Sequence, residues 1–94
     1  MKNYLIGIGE YLKEDYEEIL KISEDKDNLD HTWKEWKKNK ENSKKQLIKQ
    51  GLNLVDIIVR PAELVKYCRD RGLKITGKTR SQFITFKTQE LDKK

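Results

Sequence analysis

The alternation of apolar and polar positions is clearest over residues 54–59, Leu-Val-Asp-Ile-Ile-Val. Alternation places Val55, Ile57 and Val59 on one side of an extended chain, and β-branched residues favour that conformation. The pattern therefore predicts a β-strand with one wholly apolar face. Because an isolated strand leaves its amides and carbonyls unpaired, this strand needs a neighbour. We expect that neighbour to be residues 4–8 or the same strand of a second copy across a twofold axis.

Apolar residues recur at helical spacing in four further segments. The predicted helices cover residues 10–23, 32–50, 61–71 and 79–91. Pro61 suits a first helical turn, where the amide that proline lacks has no partner, and Gly72 suits the left-handed residue that ends a helix. The expected fold class is therefore α+β, mostly α, with one principal strand in a single small domain spanning residues 1–94.

Two sequence signatures indicate where helices start. Thr32 and Glu35 have the spacing of a capping box, and the helix that they open is expected to end at Gly51. Thr79 and Gln82 have the same spacing, which predicts that the last helix starts there.

The helix predicted over residues 32–50 carries two tryptophans and seven lysines. Trp33 and Trp36 lie on one face, and Lys40 and Lys44 follow along the same stripe. We expect this helix to pack at its ends and to be solvated between them. The tryptophans have two interpretations. We favour anchors in the core, because solvated charge is the default for surface helices; the alternative is exposed rings that stack on nucleic acid bases while the lysines follow phosphates.

Charge is unevenly distributed along the chain. Charged residues make up 39% of the sequence, and the apolar share is low, which favours either marginal stability or burial of extra surface in a dimer. Residues 1–30 carry 4 basic and 9 acidic side chains, residues 31–51 carry 7 and 2, and residues 52–94 carry 10 and 5. An acidic N-terminal third beside a basic remainder predicts ion pairs within the fold. As a second possibility, the basic remainder attracts nucleic acid or another anionic partner.

A single cysteine and a single histidine limit the chemistry that the chain can perform. Cys68 falls on an apolar helix face, where a thiol behaves as a small buried side chain, and His31 is expected to be exposed. These two residues cannot complete a zinc site, and Asp25, Asp27 and Asp30 do not have the spacing of a calcium-binding loop. We therefore expect no catalytic residues, no metal, no cofactor and no enzymatic activity.

Residues 72–79, G-L-K-I-T-G-K-T, match the phosphate-loop pattern G-x-x-x-x-G-K-[ST]. Such a loop binds a triphosphate when a buried strand leads into it and a helix leads out. Because a charged helix is predicted immediately before it, we interpret the match as chance. A weaker alternative is that the amides of residues 78–81, at a helix start, bind an isolated phosphate.

The order of strand, P-x-E-L helix, glycine, T-R-S and second helix resembles the ribbon-helix-helix DNA-binding proteins. The residues that carry this resemblance are Val59, Pro61, Glu63, Leu64, Gly72, Arg80, Ser81 and Ile84. The resemblance implies a dimer whose paired strands enter the major groove while the second helix contacts phosphate. It also implies that Arg60, Lys78 and Arg80 contact the nucleic acid backbone.

The chain as a whole resembles a group of small uncharacterised bacterial proteins that carry a tryptophan helix, a hydrophobic strand, an E-L-x-x-Y-C helix and an R-x-x-F helix. The matching residues are Trp33, Trp36, Gly51, Leu52, Glu63, Leu64, Tyr67, Cys68, Gly72, Leu73, Arg80 and Phe83. This resemblance implies no activity.

The sequence thus predicts a small non-catalytic protein that binds itself as a homodimer or binds another protein. The alternative is a dimeric, ribbon-helix-helix-like DNA-binding regulator. The apolar run at residues 4–8 is too short for a signal peptide or a membrane span, and one cysteine cannot form an internal disulfide. We therefore expect a cytoplasmic location and no membrane partner.

Overall fold

The computed structural model describes residues 5–92, and within them it contains four α-helices and two β-strands. In chain order these are β1 (Leu5–Glu10), α1 (Tyr16–Ile22), α2 (Trp33–Lys49), β2 (Asn53–Ile58), α3 (Pro61–Asp70) and α4 (Gly77–Asp92). Short 3₁₀ turns lie at Lys13–Asp15 and Lys26–Asn28. The predicted fold class, α+β and mostly α, is confirmed.

Strands β1 and β2 pair in parallel, with Leu5 opposite Asn53 and Glu10 opposite Ile58. The neighbour of the predicted strand is therefore the N-terminal segment of the same chain. The pairing extends beyond residues 4–8 at one end, and Tyr4 lies outside the described residues. Because a tight turn cannot join parallel strands, the intervening chain with α1 and α2 forms the crossover between them.

Helix α4 packs closely on the inner face of the sheet, and two glycines in β1 make room for it. Ile57 of β2 faces the same side and is 6% exposed. A Cβ atom at Gly7 would lie 1.9 Å from Thr88 Oγ1, and one at Gly9 would lie 2.7 Å from Ile84 Cδ1. The G-I-G sequence of β1 therefore allows α4 to approach the strand backbone directly.

The hydrophobic core lies between the helices and the residues that directly follow β1 and β2. Its buried members are Tyr11, Tyr16, Ile19, Val59, Leu64, Cys68 and Phe83. Trp33 and Trp36 of α2 pack against this cluster: Trp33 Nε1 donates to the carbonyl oxygen of Tyr11 at 2.7 Å, and the Trp36 ring centroid lies 4.9 Å from that of Tyr11. The interpretation of both tryptophans as core anchors is confirmed.

The first helix is shorter than predicted. The helix expected over residues 10–23 is α-helical only at Tyr16–Ile22. Glu10 instead completes β1, and Leu12 is extended with φ −72° and ψ 145°. Pairing with β2 therefore overrides the helical spacing of apolar residues at the start of this segment.

Local signals identify one helix start correctly and misplace another. The capping box of α2 is confirmed, since Thr32 Oγ1 accepts a hydrogen bond from Glu35 N at 3.1 Å. The capping box predicted to begin at Thr79 is wrong, because α4 begins at Gly77. Here Thr76 is the residue before the helix: its amide donates to Thr79 Oγ1 at 2.8 Å, and Thr79 N donates back to Thr76 Oγ1 at 3.4 Å.

Two glycines end helices as predicted. Gly51 follows α2 with φ +84°, and Gly72 follows α3 with φ +65°. After Gly72, the amide of Leu73 donates to the carbonyl oxygen of Cys68 at 2.8 Å, which satisfies a carbonyl in the last turn of α3.

The outer face of the sheet is joined to α2 by ion pairs. Lys40 Nζ binds the carboxylates of Glu10 on β1 and Asp56 on β2, the latter at 2.9 Å. Lys37 binds Glu10 at 2.9 Å, and Lys44 binds Asp56 at 2.9 Å. The side chain of Lys40 is only 5% exposed. The expectation that this part of α2 is solvated is therefore wrong at Lys40.

These ion pairs lower the pKa values of both carboxyl groups. Burial raises the pKa of Glu10, but hydrogen bonds from Lys40 and Lys37 outweigh burial and hold that pKa below its ordinary value of 4.5. The hydrogen bond from Lys44 likewise holds the pKa of Asp56 below 3.8. Both carboxylates therefore stabilise the fold at neutral pH, and this stabilisation is lost as pH falls through their folded-state pKa values.

Replacing Lys40 by Met is expected to lower the free energy of unfolding by on the order of 3 kcal/mol, because Glu10 and Asp56 lose a buried shared cation. Lys45→Met is the matched control, since Lys45 is exposed on the same helix. We expect the control to stay within about 0.5 kcal/mol of the parent. Urea denaturation at neutral pH measures both changes, and equal losses in the two variants would contradict a stabilising role for the buried ammonium group.

Candidate anion-binding groove between α3 and α4

The three basic residues expected to contact nucleic acid lie in different environments. Arg60, just before α3, has a 48% exposed side chain whose Nε binds Asp15 at 3.0 Å. Arg80 has a 7% exposed side chain that binds Asp25. Lys78 is exposed in the first turn of α4. Contact of these residues with nucleic acid stays a prediction, but two of the three cations already have a carboxylate partner within the fold.

Arg80 connects the start of α4 to the segment that follows α1. Its Nη1 and Nη2 donate to Oδ1 and Oδ2 of Asp25 at 2.8 and 3.0 Å, and Nη1 also donates to Ser23 Oγ at 2.9 Å. The Ser23 hydroxyl in turn donates to the carbonyl oxygen of Ile19 at 2.7 Å. The hydrogen bond from Arg80 outweighs burial and lowers the pKa of Asp25. This bidentate pair makes Arg80 a structural residue.

The start of α4 already holds an anionic group from the same chain. Gly77 N donates to Asp25 Oδ2 at 2.8 Å, which places a carboxylate at the positive end of the helix. The amides of Thr79 and Arg80 donate to Oγ1 and the carbonyl oxygen of Thr76. Two of the four amides at residues 78–81 that were expected to bind phosphate, those of Thr79 and Arg80, are therefore already paired within the chain.

The phosphate-loop match at residues 72–79 lies between two helices. Gly72 ends α3, and Gly77 begins α4. A phosphate loop requires a strand that leads directly into it, whereas here β2 is separated from the match by the whole of α3. This geometry agrees with the interpretation of the match as chance.

Cys68 and His31 occupy the environments expected from the sequence. Cys68 is 1% exposed within the core, and His31 is exposed before α2. Within residues 5–92, no group of three histidine, cysteine, aspartate or glutamate side chains converges as metal ligands would.

A groove of ≈ 560 Å³ runs between α3 and α4. Its lining consists of two cations, Arg71 and Lys78, two aromatic residues, Tyr67 and Phe86, and the uncharged polar residues Ser81, Gln82, Thr85 and Gln89. None of these residues is acidic. Among the side chains that the structure describes, no carboxylate forms an ion pair with Arg71 or Lys78. The groove therefore presents positive charge to solvent.

Tyr67, Arg71 and Phe86 form a ridge at the edge of this groove. The guanidinium carbon of Arg71 lies 3.8 Å from the Tyr67 ring centroid and 5.2 Å from that of Phe86. Arg71 Nη1 also donates to the carbonyl oxygen of Tyr67 at 3.2 Å. These contacts fix the position of the guanidinium group. Sequence reasoning missed Arg71, although its spacing of four residues from Tyr67 on one helix is the signal for such a pair.

A second concavity, of ≈ 280 Å³, lies on the other side of the ridge and, unlike the groove, is lined by acidic as well as basic residues. Its Lys66 binds Asp70 at 2.8 Å, and its Lys87 lies 3.8 Å from Glu63. The two concave surfaces therefore differ in electrostatics: the larger one has only basic charged residues, whereas in the smaller one two of the three cations have a carboxylate partner.

Comparison with known proteins finds no matching family, no similar curated protein and no similar solved structure. The candidate site therefore rests on the geometry of the chain itself. None of the helices within residues 5–92 is both long enough and apolar enough to cross a bilayer.

Replacing Asp25 by Asn is expected to lower the free energy of unfolding by about 2–4 kcal/mol, because Arg80 stays buried without its carboxylate partner. Asp27→Asn is the matched control, since Asp27 is exposed in the same connecting segment and should change little. Urea denaturation at neutral pH measures both variants.

The destabilisation caused by Asp25→Asn should shrink as pH falls below 3.8. A carboxyl group with a lowered folded-state pKa stabilises the fold above that pKa and loses this effect as it is protonated. Repeating the denaturation at successively lower pH tests the sign. If the difference in free energy of unfolding between Asp25→Asn and the parent stayed constant down to the acid transition, the charge of Asp25 would not be what stabilises the fold.

Proposed function

We propose that this protein is a small non-catalytic binding module whose partner is a nucleic acid, and that the partner binds over the groove between α3 and α4. The observation that carries the proposal is the charge of that groove. Arg71 and Lys78 line a concave surface without any acidic neighbour in its lining. A nucleic acid backbone supplies a regular row of negative charges that such a surface attracts.

The internal ion pairs support this choice of surface. Glu10, Asp15 and Asp25 of the acidic N-terminal third all bind basic residues from the rest of the chain. Residues 60–80 carry 7 basic and 2 acidic side chains, and only some of these cations bind a carboxylate. Cations without a described carboxylate partner therefore remain around α3 and the start of α4.

The alternative of a dimeric, ribbon-helix-helix-like regulator has weaker support. In that class two strands from different copies pair, and their outward side chains read bases. Here one edge of β2 pairs with β1, and the outward Asp56 binds Lys40 and Lys44. We therefore propose the groove, rather than β2, as the surface that contacts nucleic acid.

A fluorescently labelled oligonucleotide should bind with an affinity that falls steeply as salt rises, because bound phosphates release counterions. The double variant Arg71→Gln/Lys78→Gln should reduce the slope of log affinity against log salt by about 1.5, since two phosphate contacts are lost. Fluorescence anisotropy over a salt series measures both slopes.

The matched control is Lys38→Gln/Lys45→Gln, which removes the same charge from exposed positions of α2. Its slope should stay close to that of the parent. The proposal is wrong if no oligonucleotide binds at low salt. It is also wrong if the two double variants reduce the slope of log affinity against log salt by the same amount.

Self-association is a second candidate function, and exposed apolar residues favour it. Ile6 on β1 and Ile58 on β2 are 39% and 48% exposed, and Ile48 near the end of α2 is 54% exposed. Each strand has a single neighbour in the sheet formed by residues 5–92. Exposed apolar side chains beside a strand edge can be covered by a second copy.

Light scattering tests self-association directly. A homodimer would give twice the chain mass of 11.2 kDa, and Ile58→Lys should return it to the monomer mass by placing charge in the interface. Leu91→Lys, at another exposed apolar position, is the control. A parent mass of 11.2 kDa at the highest soluble concentration would remove this candidate.

A further inference from the structure

We infer that the bound nucleic acid is single-stranded and that one of its bases stacks on the guanidinium group of Arg71. This inference rests on the proposed function and deepens it by naming the form of the ligand. It depends on three features of the groove: a guanidinium group held in place, an exposed aromatic ring beside it, and a lining that both donates and accepts hydrogen bonds.

Arg71 is positioned before any ligand arrives. Its guanidinium carbon lies 3.8 Å from the Tyr67 ring centroid, and its Nη1 is bonded to the Tyr67 carbonyl oxygen. Tyr67 therefore covers one face of the guanidinium group, while the Arg71 side chain as a whole is exposed. Guanidinium planes are established platforms for unstacked bases. Because Arg71 is already held, little side-chain entropy is lost when a base stacks on it.

Phe86 extends this platform along the groove. Its ring centroid lies 5.2 Å from the guanidinium carbon of Arg71 and 5.4 Å from the Tyr67 ring centroid. Phe86 is 37% exposed, so its ring is accessible from the groove. Bases of any sequence can stack on such a ring, because every base has a π-face.

The polar lining suits the edge of a base as well as phosphate. Gln82 and Gln89 each supply an amide donor and an amide acceptor, and Ser81 and Thr85 supply hydroxyls that can do either. A phosphate group needs donors alone, whereas base edges present donors and acceptors together. Lys78, at one end of the same lining, is the cation available for the backbone phosphate.

Stacking on Arg71 requires a base whose face is free. In a duplex the base faces are covered by their neighbours, so a side chain that offers a flat platform contacts them only in single strands, loops or ends. A phosphorylated peptide would use Arg71 and Lys78 as charges and would leave the platform without a planar partner. The stacked geometry therefore favours a single strand over both alternatives.

Fluorescence anisotropy with two labelled strands of equal length and charge separates stacking from electrostatics. One strand is an oligothymidylate, and the other is an abasic strand with the same phosphates and no bases. The parent should bind the oligothymidylate about tenfold more tightly, which corresponds to one stacked base.

Arg71→Lys keeps the positive charge and removes the planar platform. This variant should lose about tenfold in affinity for the oligothymidylate and stay near the parent with the abasic strand. Phe86→Leu is a second variant that should weaken binding of the oligothymidylate and leave binding of the abasic strand unchanged. Lys78→Gln, which removes a phosphate contact, should instead lower the affinity for both strands by the same factor.

The possible failures of this inference and of the proposed function can be told apart. Equal affinity of the parent for the two strands would overturn stacking and leave nucleic acid binding intact. Tighter binding of a duplex of the same length, or of a doubly phosphorylated peptide, would overturn the assignment of a single strand. Binding of neither strand at low salt would overturn the proposed function together with the inference.

Discussion

The buried ammonium group of Lys40 is the interaction on which the arrangement of the sheet and α2 depends. It binds Glu10 of β1 and Asp56 of β2, so one cation joins both strands to the helix that crosses between them. A sheet of two parallel strands needs such a crossover and provides few backbone hydrogen bonds of its own. Helix α2 has a narrow apolar face near Trp33 and Trp36, and the ion pairs fix its position further along.

The same principle of internal neutralisation determines which charges remain at the surface. Carboxylates of the N-terminal third bind α2 through Glu10, the start of α3 through Asp15 and the start of α4 through Asp25. A net charge of +5 is therefore not spread evenly over the fold. Arg71 and Lys78 are among the cations without a described carboxylate partner, and they lie at the groove beside the aromatic rings of Tyr67 and Phe86. The proposed binding surface is thus a consequence of how the fold pairs its other charges.

Sequence reasoning succeeded where the signal is local. The apolar face of β2, the capping box at Thr32 and the glycine ends of α2 and α3 each depend on residues within one or two turns. It failed where a polar residue meets a distant partner. Asp56 lies 16 residues from Lys40, and Asp25 lies 55 residues from Arg80. A lysine on a helix stripe is ordinarily solvated, and nothing close to Lys40 in the sequence shows that carboxylates will face it.

The candidate groove shows the same division between local and distant signals. Lys78 was named as a backbone contact that the ribbon-helix-helix resemblance implies, and the structure places it in the groove. Arg71 was missed because its partner Phe86 comes from a different helix, although Tyr67 lies one turn away on the same helix. Recognising the ridge requires knowledge of how α3 packs on α4, which no local pattern supplies.

The start of α4 explains why the sequence suggested phosphate binding in two independent ways. Gly77 belongs to the phosphate-loop match, and Arg80 belongs to the ribbon-helix-helix resemblance. Both residues bind the carboxylate of Asp25. An amide at a helix start and a guanidinium group suit a carboxylate as well as a phosphate, because each ligand presents oxygens that carry negative charge. In this structure the carboxylate of Asp25 is the anionic group that both of them bind. Arg80 is thus buried and bound to Asp25, whereas Lys78 is exposed on the side of α4 where the groove and Arg71 lie.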